Sequence, residues 1–159
     1  MFIHSINPIF DKMSKILILG TFPSVKSREM KFFYAHPQNR FWPLMAELLG
    51  YEPPTTNEKR TELLIKNNIA LWDIVASCET EGSSDTKIKN ISYNNINNIV
   101  SGSQIKAIFT NGKKAYELLI KSGQDFGLPL TALPSTSPAN AQFSFSALLE
   151  KWAVILERI

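Results

Sequence analysis

The sequence has very few of the residues that hold metals or clusters. There is one cysteine, Cys78, and there are two histidines, His4 and His36. A lone cysteine excludes an internal disulfide framework. One Cys with two His also argues against an iron–sulfur or structural zinc site. No apolar run approaches the ~20 residues of a membrane span, so no membrane partner is expected either. The first residues include His4, Asn7, Pro8 and Asp11 and do not make a signal peptide. The expected setting is soluble, reducing and cytoplasmic. Charge is sparse too, at 19% of residues, against 44% hydrophobic residues. That is ordinary globular composition and excludes a disordered chain.

What is present points to one domain spanning residues 1–159, long enough for a real core. The formal charge of +3 and the pI near 9.0 suit a polyanionic partner without requiring one. Four apolar runs read as strands: Ile16 to Leu19, Ile69 to Val75, Ile105 to Phe109, and Leu128 to Leu133. Residues 1–14 read as an irregular lead-in. Phe41, Leu44, Met45 and Leu48 fall at helical spacing ahead of Gly50. Pro43 cannot donate to the carbonyl four residues back, so that helix should start near Asn39. Further helices are expected over Glu58 to Lys66 with Asn57 as cap, over Asn94 to Val100, and over Lys113 to Lys121. A last helix carries Phe145, Leu148, Leu149, Trp152, Ile155 and Ile159 on one face. Glu79 to Asn90 reads as a loop.

Strand and helix alternate, which predicts an α/β fold: a three-layer αβα sandwich around a parallel sheet of about four strands. Such sheets place ligands at the carboxyl ends of their strands. The loops expected there carry Phe22 and Asn39, Asp73 and Ser84, Asn111 and Gly112, and residues 135–140. The densest group of reactive side chains is Tyr34, His36, Asn39, Arg40 and Trp42, within nine positions after the first strand.

Gly20-Thr21-Phe22-Pro23-Ser24, Tyr34-Ala35-His36-Pro37-Gln38-Asn39-Arg40-Phe41-Trp42 and Leu133-Pro134-Ser135-Thr136-Ser137-Pro138-Ala139-Asn140-Ala141 together resemble the uracil-DNA glycosylase superfamily. The segments Ile69 to Cys78 and Gly82-Ser83-Ser84-Asp85 resemble its hypoxanthine-DNA (deoxyinosine) glycosylase branch. The resemblance runs from about residue 16 to 155. It implies a domain that flips a damaged nucleotide out of DNA and hydrolyses its N-glycosidic bond without metal or cofactor. Uracil- and mismatch-specific relatives carry an Asp or Asn in the first motif to handle the attacking water. Here that motif holds Phe22, which cannot do so. In the hypoxanthine branch the role passes to the Asn of the second motif, here Asn39. The classical uracil enzymes also open their last motif with a His that stabilises the departing base. Here the position is Leu133, so weak or absent uracil excision is expected.

The resemblance makes Asn39 the catalytic candidate, its amide oxygen accepting from the water and facing the cationic sugar. Tyr34 is the candidate stacking face for the base, and Asp73 can accept from a base N–H. Phe22 and Asn111 complete the base-binding set. Ser135, Thr136, Ser137, Pro138, Ala139 and Asn140 resemble the loop that enters the minor groove. There hydroxyls and backbone N–H groups suit phosphates, and Pro138 and Ala139 suit a wedge. Lys87, Lys89, Lys113 and Lys114 are candidate phosphate neighbours.

Plainer roles stand beside these. Asn39 suits a helix cap, His36 a loop-ordering residue, Asp73 and Asn111-Gly112 caps, and Trp42, Trp152 and Cys78 the core. The implied partner is DNA holding a deaminated base, met by a monomer. Two rivals stay open: a uracil or mismatch glycosylase, and an inactive DNA-binding module of the same fold. A nucleotide-binding protein is disfavoured by the absence of a Gly-x-Gly-x-x-Gly turn and of a Walker lysine.

Overall fold

Ile16–Gly20 is buried along its whole length and forms the central strand β2 of a four-stranded parallel sheet. This computed structural model describes residues 1–81 and 87–159. The sheet order is β3-β2-β6-β7, with β3 Ile69–Asp73, β6 Ala107–Asn111 and β7 Leu130–Leu133. A strand covered on both faces has no polar side, which is why β2 reads as an unbroken apolar run. Its side chains alternate between two cores. Ile16 and Ile18 pack with Phe41, Leu44, Met45, Leu64 and Trp152. Leu17 and Leu19 pack with Ile99, Leu118 and Leu119.

Helices α2 (Phe41–Leu49), α3 (Asn57–Lys66) and α6 (Phe145–Trp152) therefore cover one face, and α4 (Asn97–Val100) and α5 (Lys113–Lys121) the other. The α/β three-layer expectation holds. From β2 the chain runs across the first face to β3, and from β6 across the second face to β7. The carboxyl ends of β2 and β6, marked by Gly20 and Asn111, thus flank a topological switch point.

Several expectations are corrected. The run from Ile69 to Val75 is two strands, because the chain leaves the parallel sheet after Asp73. The N–H groups of Ile74 and Val75 turn to the carbonyls of Gly20 and Thr21, at 2.9 and 3.1 Å. Asn94 Nδ2 donates to the carbonyls of Asp73 and Val75 at 2.9 and 3.3 Å and so satisfies the departure point. Continuous hydrophobicity hid the break, since Ile74 and Val75 at the departure point are themselves buried.

Val75–Glu79 becomes β4 of a second, antiparallel sheet of order β1-β4-β5, with β5 Lys89–Tyr93. Its first strand is β1, Phe2–Ile3, so residues 1–14 are not merely a lead-in. Ile9 also bridges Leu71. A short helix α1, Val25–Met30, was legible only as loop, and Ser24 caps it by accepting from Ser27 N–H. The cap of α3 is Thr56, which accepts from Lys59 N–H at 3.1 Å, while Asn57 is the first helical residue. The helix expected over Asn94 to Val100 shrinks to α4, and α6 gives way to a 3-10 turn over Ala153–Glu157. The expectation on Gly82-Ser83-Ser84-Asp85 lies outside the described residues.

Candidate active site

A cleft of about 1130 Å³ opens at the switch point. Gly20 to Ser24, Tyr34, His36, Asn39, Asp73, Asn111, Lys113 and the loop 132–140 line it. Every base-binding and catalytic candidate from the sequence is therefore on one wall or another of a single cavity. Among the described residues that line it, Asp73 is the only carboxylate.

Asn39 lies just before α2, and its Oδ1 accepts from Phe41 N–H at 2.9 Å. This two-residue Asx turn leads into the helix from one position ahead of its N-cap, Arg40, which makes no side-chain cap bond, so Asn39 satisfies the first helical N–H without being the cap residue itself. The same oxygen accepts from the Thr136 hydroxyl at 2.8 Å. Thr136 is fully buried and comes from the loop after β7. Its N–H donates to Asn111 Oδ1 at 3.0 Å, and Asn111 Nδ2 donates to its Oγ1 at 3.0 Å. The start of α2 and the ends of β6 and β7 are thus tied by one network. In it Asn111, 8% exposed, spends its oxygen and one N–H on Thr136 and not on a ligand.

Asp73 is buried at 4% exposure. Its Oδ2 meets His4 Nε2 at 2.8 Å. His4 Nδ1 accepts from Ile6 N–H at 3.3 Å. A ring nitrogen that accepts from a backbone N–H carries no proton. Nε2 therefore holds the hydrogen, and a neutral imidazole donates to the carboxylate. The ring is packed by Phe22, Phe33 and Trp72, with centroids 6.0, 6.2 and 6.4 Å away. His4 was not legible as a site residue, because nothing in an aperiodic N-terminal stretch marks it. Strand β1 carries it there.

Asp73 Oδ1 lies over Gly20. A Cβ at Gly20 would fall 2.4 Å from Asp73 Oδ1 and 2.7 Å from Tyr34 Oη. The absent side chain is what lets both groups approach the end of β2. Tyr34 has φ +51°, an uncommon conformation for a bulky residue, and it stacks on Phe41 at 4.3 Å. One ring face is thus committed to Phe41, so any base stacked on Tyr34 uses the other. His36 orders its loop, with Nδ1 accepting from Gln38 N–H at 3.1 Å. Trp42 and Trp152 are buried core residues, as expected, and their indole N–H groups donate to the carbonyls of Phe33 and Pro134.

The loop 135–140 forms a wall of the cleft, but four of its backbone N–H groups are already used within the protein. The N–H groups of Thr136, Ser137, Ala139 and Asn140 go to Asn111 Oδ1, Ser135 Oγ, Ser137 Oγ and the Ser137 carbonyl. Pro138 has none. The loop therefore offers hydroxyl hydrogens to a phosphate, and the expectation of backbone N–H contacts is corrected at these positions. Pro138 and Ala139 are exposed at its tip.

Arg40 holds this loop in place. Its guanidinium donates to the carbonyls of Phe143, Asn140 and Ser137, the last two at 3.1 and 3.4 Å, and its N–H donates to the Thr136 carbonyl at 3.1 Å. The sequence showed a cation in the motif without showing this use. Of the candidate lysines, Lys113 lines the cleft and Lys87 pairs with Glu81 at 3.4 Å. No helix among the described residues is long and apolar enough to cross a membrane. Nor do three His, Cys, Asp or Glu side chains among them gather as a metal site would need.

An amide, a carboxylate and a hydroxyl loop thus converge on one cleft at the switch point of a parallel α/β sheet. The family model described as Uracil DNA glycosylase superfamily matches residues 8–155. Two curated relatives, both named Hypoxanthine DNA glycosylase, come from Methanosarcina. The one from Methanosarcina barkeri is 33% identical, over 95% of this chain and 96% of its own length. The one from Methanosarcina acetivorans is 34% identical, over 86% of this chain and 87% of its own. A solution NMR structure of a candidate uracil DNA glycosylase from Methanosarcina acetivorans superposes with a TM-score of 0.77 at 31% identity, covering 95% of this chain and 96% of that one. The chain belongs to the uracil DNA glycosylase superfamily.

Proposed function

We propose that this chain is a monofunctional DNA glycosylase that hydrolyses the N-glycosidic bond of a flipped-out deaminated base, with deoxyinosine as its substrate. The observation that carries the reading is the pairing of Asn39 and Asp73 in one cleft at the switch point. Deoxyinosine presents N1–H as a donor and O6 as an acceptor. A buried carboxylate held from behind by His4 suits the N1–H. Both relatives named above carry the name of this activity.

Two residues disfavour uracil. Phe22 stands where uracil enzymes handle water, and Leu133, buried at the end of β7, offers no donor to a departing uracil. The extruded base leaves a gap in the stack, which Pro138 and Ala139 are placed to enter, and extrusion costs a few kcal/mol. Tyr34 supplies the stacking face. Hydrolysis passes through a sugar with strong oxocarbenium character. The site therefore needs a placed water, exclusion of bulk solvent and hydrogen bonds to the leaving base more than a strong nucleophile. One domain acting as a monomer inside the cell suffices for this chemistry.

The test is alkali-induced strand cleavage of labelled duplexes carrying one deoxyinosine or one deoxyuridine. The wild type should cleave the deoxyinosine duplex and leave the deoxyuridine duplex nearly intact. Preferred cleavage at deoxyuridine would move the substrate to uracil. DNA binding without cleavage of either duplex would leave a binding module.

A further inference from the structure

We infer that Asn39 acts as a hydrogen-bond donor to the departing base, and that Thr136 is the positioning residue that occupies the second lone pair of its amide oxygen and so leaves only the donor end free to act. The assignment rests on the glycosylase reading above and reverses the role expected from the sequence, in which the amide oxygen accepts from water.

The direction of every bond in the network follows from two backbone groups. A main-chain N–H can only donate. Phe41 N–H therefore identifies the atom of Asn39 that it meets as the oxygen, and Thr136 N–H does the same for Asn111. The other terminal atom of Asn111 is then Nδ2, which donates to Thr136 Oγ1. The one hydrogen of the Thr136 hydroxyl is left to point at Asn39 Oδ1. Amide flips and hydroxyl rotors, usually matters of choice, are determined here by the protein itself.

An amide oxygen has two lone pairs, and Asn39 Oδ1 receives two donors. It has no capacity left to accept from a water. The remaining polar group of the side chain is Nδ2, with two hydrogens, for which no acceptor exists among the described residues. A donor aimed at the attacking water's oxygen would lower its nucleophilicity. A donor aimed at the base acts in the productive sense. When the C1′–N9 bond breaks, its electron pair passes to N9 and spreads over N3, N7 and O6 of the purine. An N–H held against one of these acceptors is worth more as the charge grows. Water adds its oxygen to C1′, and its surplus proton ends on the purine, so the products are an abasic sugar and neutral hypoxanthine.

The experiment is single-turnover and steady-state excision of deoxyinosine by wild type, Asn39→Asp, Asn39→Ala, Thr136→Val and Thr136→Ser, with thermal melts alongside. Asn39→Asp keeps both accepted bonds and suits the Asx turn, while it turns the donor end into an acceptor and adds a negative charge. It should fall at least 100-fold, close to Asn39→Ala, with its melting temperature unchanged or raised. Thr136→Val should lower kcat about tenfold with KM unchanged, and Thr136→Ser should restore it. Asn39→Asp retaining or exceeding wild-type excision would overturn the donor role while leaving the glycosylase reading intact. A KM change without a kcat change in Thr136→Val would overturn the positioning role. A wild type that excises neither deoxyinosine nor deoxyuridine would overturn the enzyme reading, and this assignment with it.

Discussion

His4 Nε2 donates to Asp73 Oδ2 across 2.8 Å, although the two residues lie 69 positions apart. The His4 side chain is 2% exposed and Asp73 5% by side chain, so the bond is made out of reach of solvent. A hydrogen bond to a charged group contributes about 1.5–3 kcal/mol, and a buried carboxylate stripped of its donor costs at least as much. The bond also fixes the carboxylate so that its other oxygen stays over Gly20.

The role of His4 is therefore open to a pair of substitutions. His4→Leu should lose about 2 kcal/mol of stability and most deoxyinosine excision. His4→Gln, which can place an amide N–H near the same point, should recover much of both. Urea titration and single-turnover cleavage read these out. Equal behaviour of the two variants would show that the ring's packing matters and the hydrogen bond does not.

Gly20→Ala tests the close approach at the end of β2. The new methyl would meet Asp73 Oδ1 and Tyr34 Oη at 2.4 and 2.7 Å. Neither can retreat freely, since His4 holds the carboxylate and Phe41 stacks on the tyrosine. We expect a loss of about 1–3 kcal/mol from overpacking, with excision falling more than tenfold. A thermal melt and a cleavage assay suffice. Unchanged activity would mean that the positions of Asp73 and Tyr34 are not what the reaction uses.

Arg40→Ala should free the loop 135–143 without unfolding the sheet. Three carbonyls lose a shared planar donor, and a lysine cannot replace its fork, so Arg40→Lys should rescue little. Limited proteolysis should show new cuts within this loop, with weaker binding to a duplex holding an abasic site. An unaltered digestion pattern would show that the loop holds itself through Ser135 and Ser137.

Thr56→Ala and Asn57→Ala separate the true cap of α3 from the expected one. Thr56→Ala removes the acceptor for Lys59 N–H and should cost about 1 kcal/mol. Asn57→Ala loses only an exposed bond to Arg60 and should cost less. Chemical denaturation ranks the two, and the reverse order would return the cap to Asn57.

Much of this protein is determined by local sequence alone. Runs such as Ile16 to Leu19 are apolar at every position because both faces of the strand are covered, so the central strand and the layer order are legible without coordinates. Pro43 and Gly50 bound α2 through backbone geometry that needs no partner, and α5 coincides with its expected range. Asn39, Asp73 and the 135–140 loop were placed near one another by topology, since parallel strands point their carboxyl ends one way.

Tertiary structure decided the rest. The break after Asp73 depends on which carbonyls Ile74 and Val75 find, and hydrophobic periodicity carries no information on that. His4 enters the site only because β1 pairs with β4. The second lone pair of Asn39 Oδ1 is filled by a threonine 97 positions away whose hydroxyl has one hydrogen to give. Propensity and burial are properties of short stretches, whereas the direction of a hydrogen bond is a property of the partners that folding brings together.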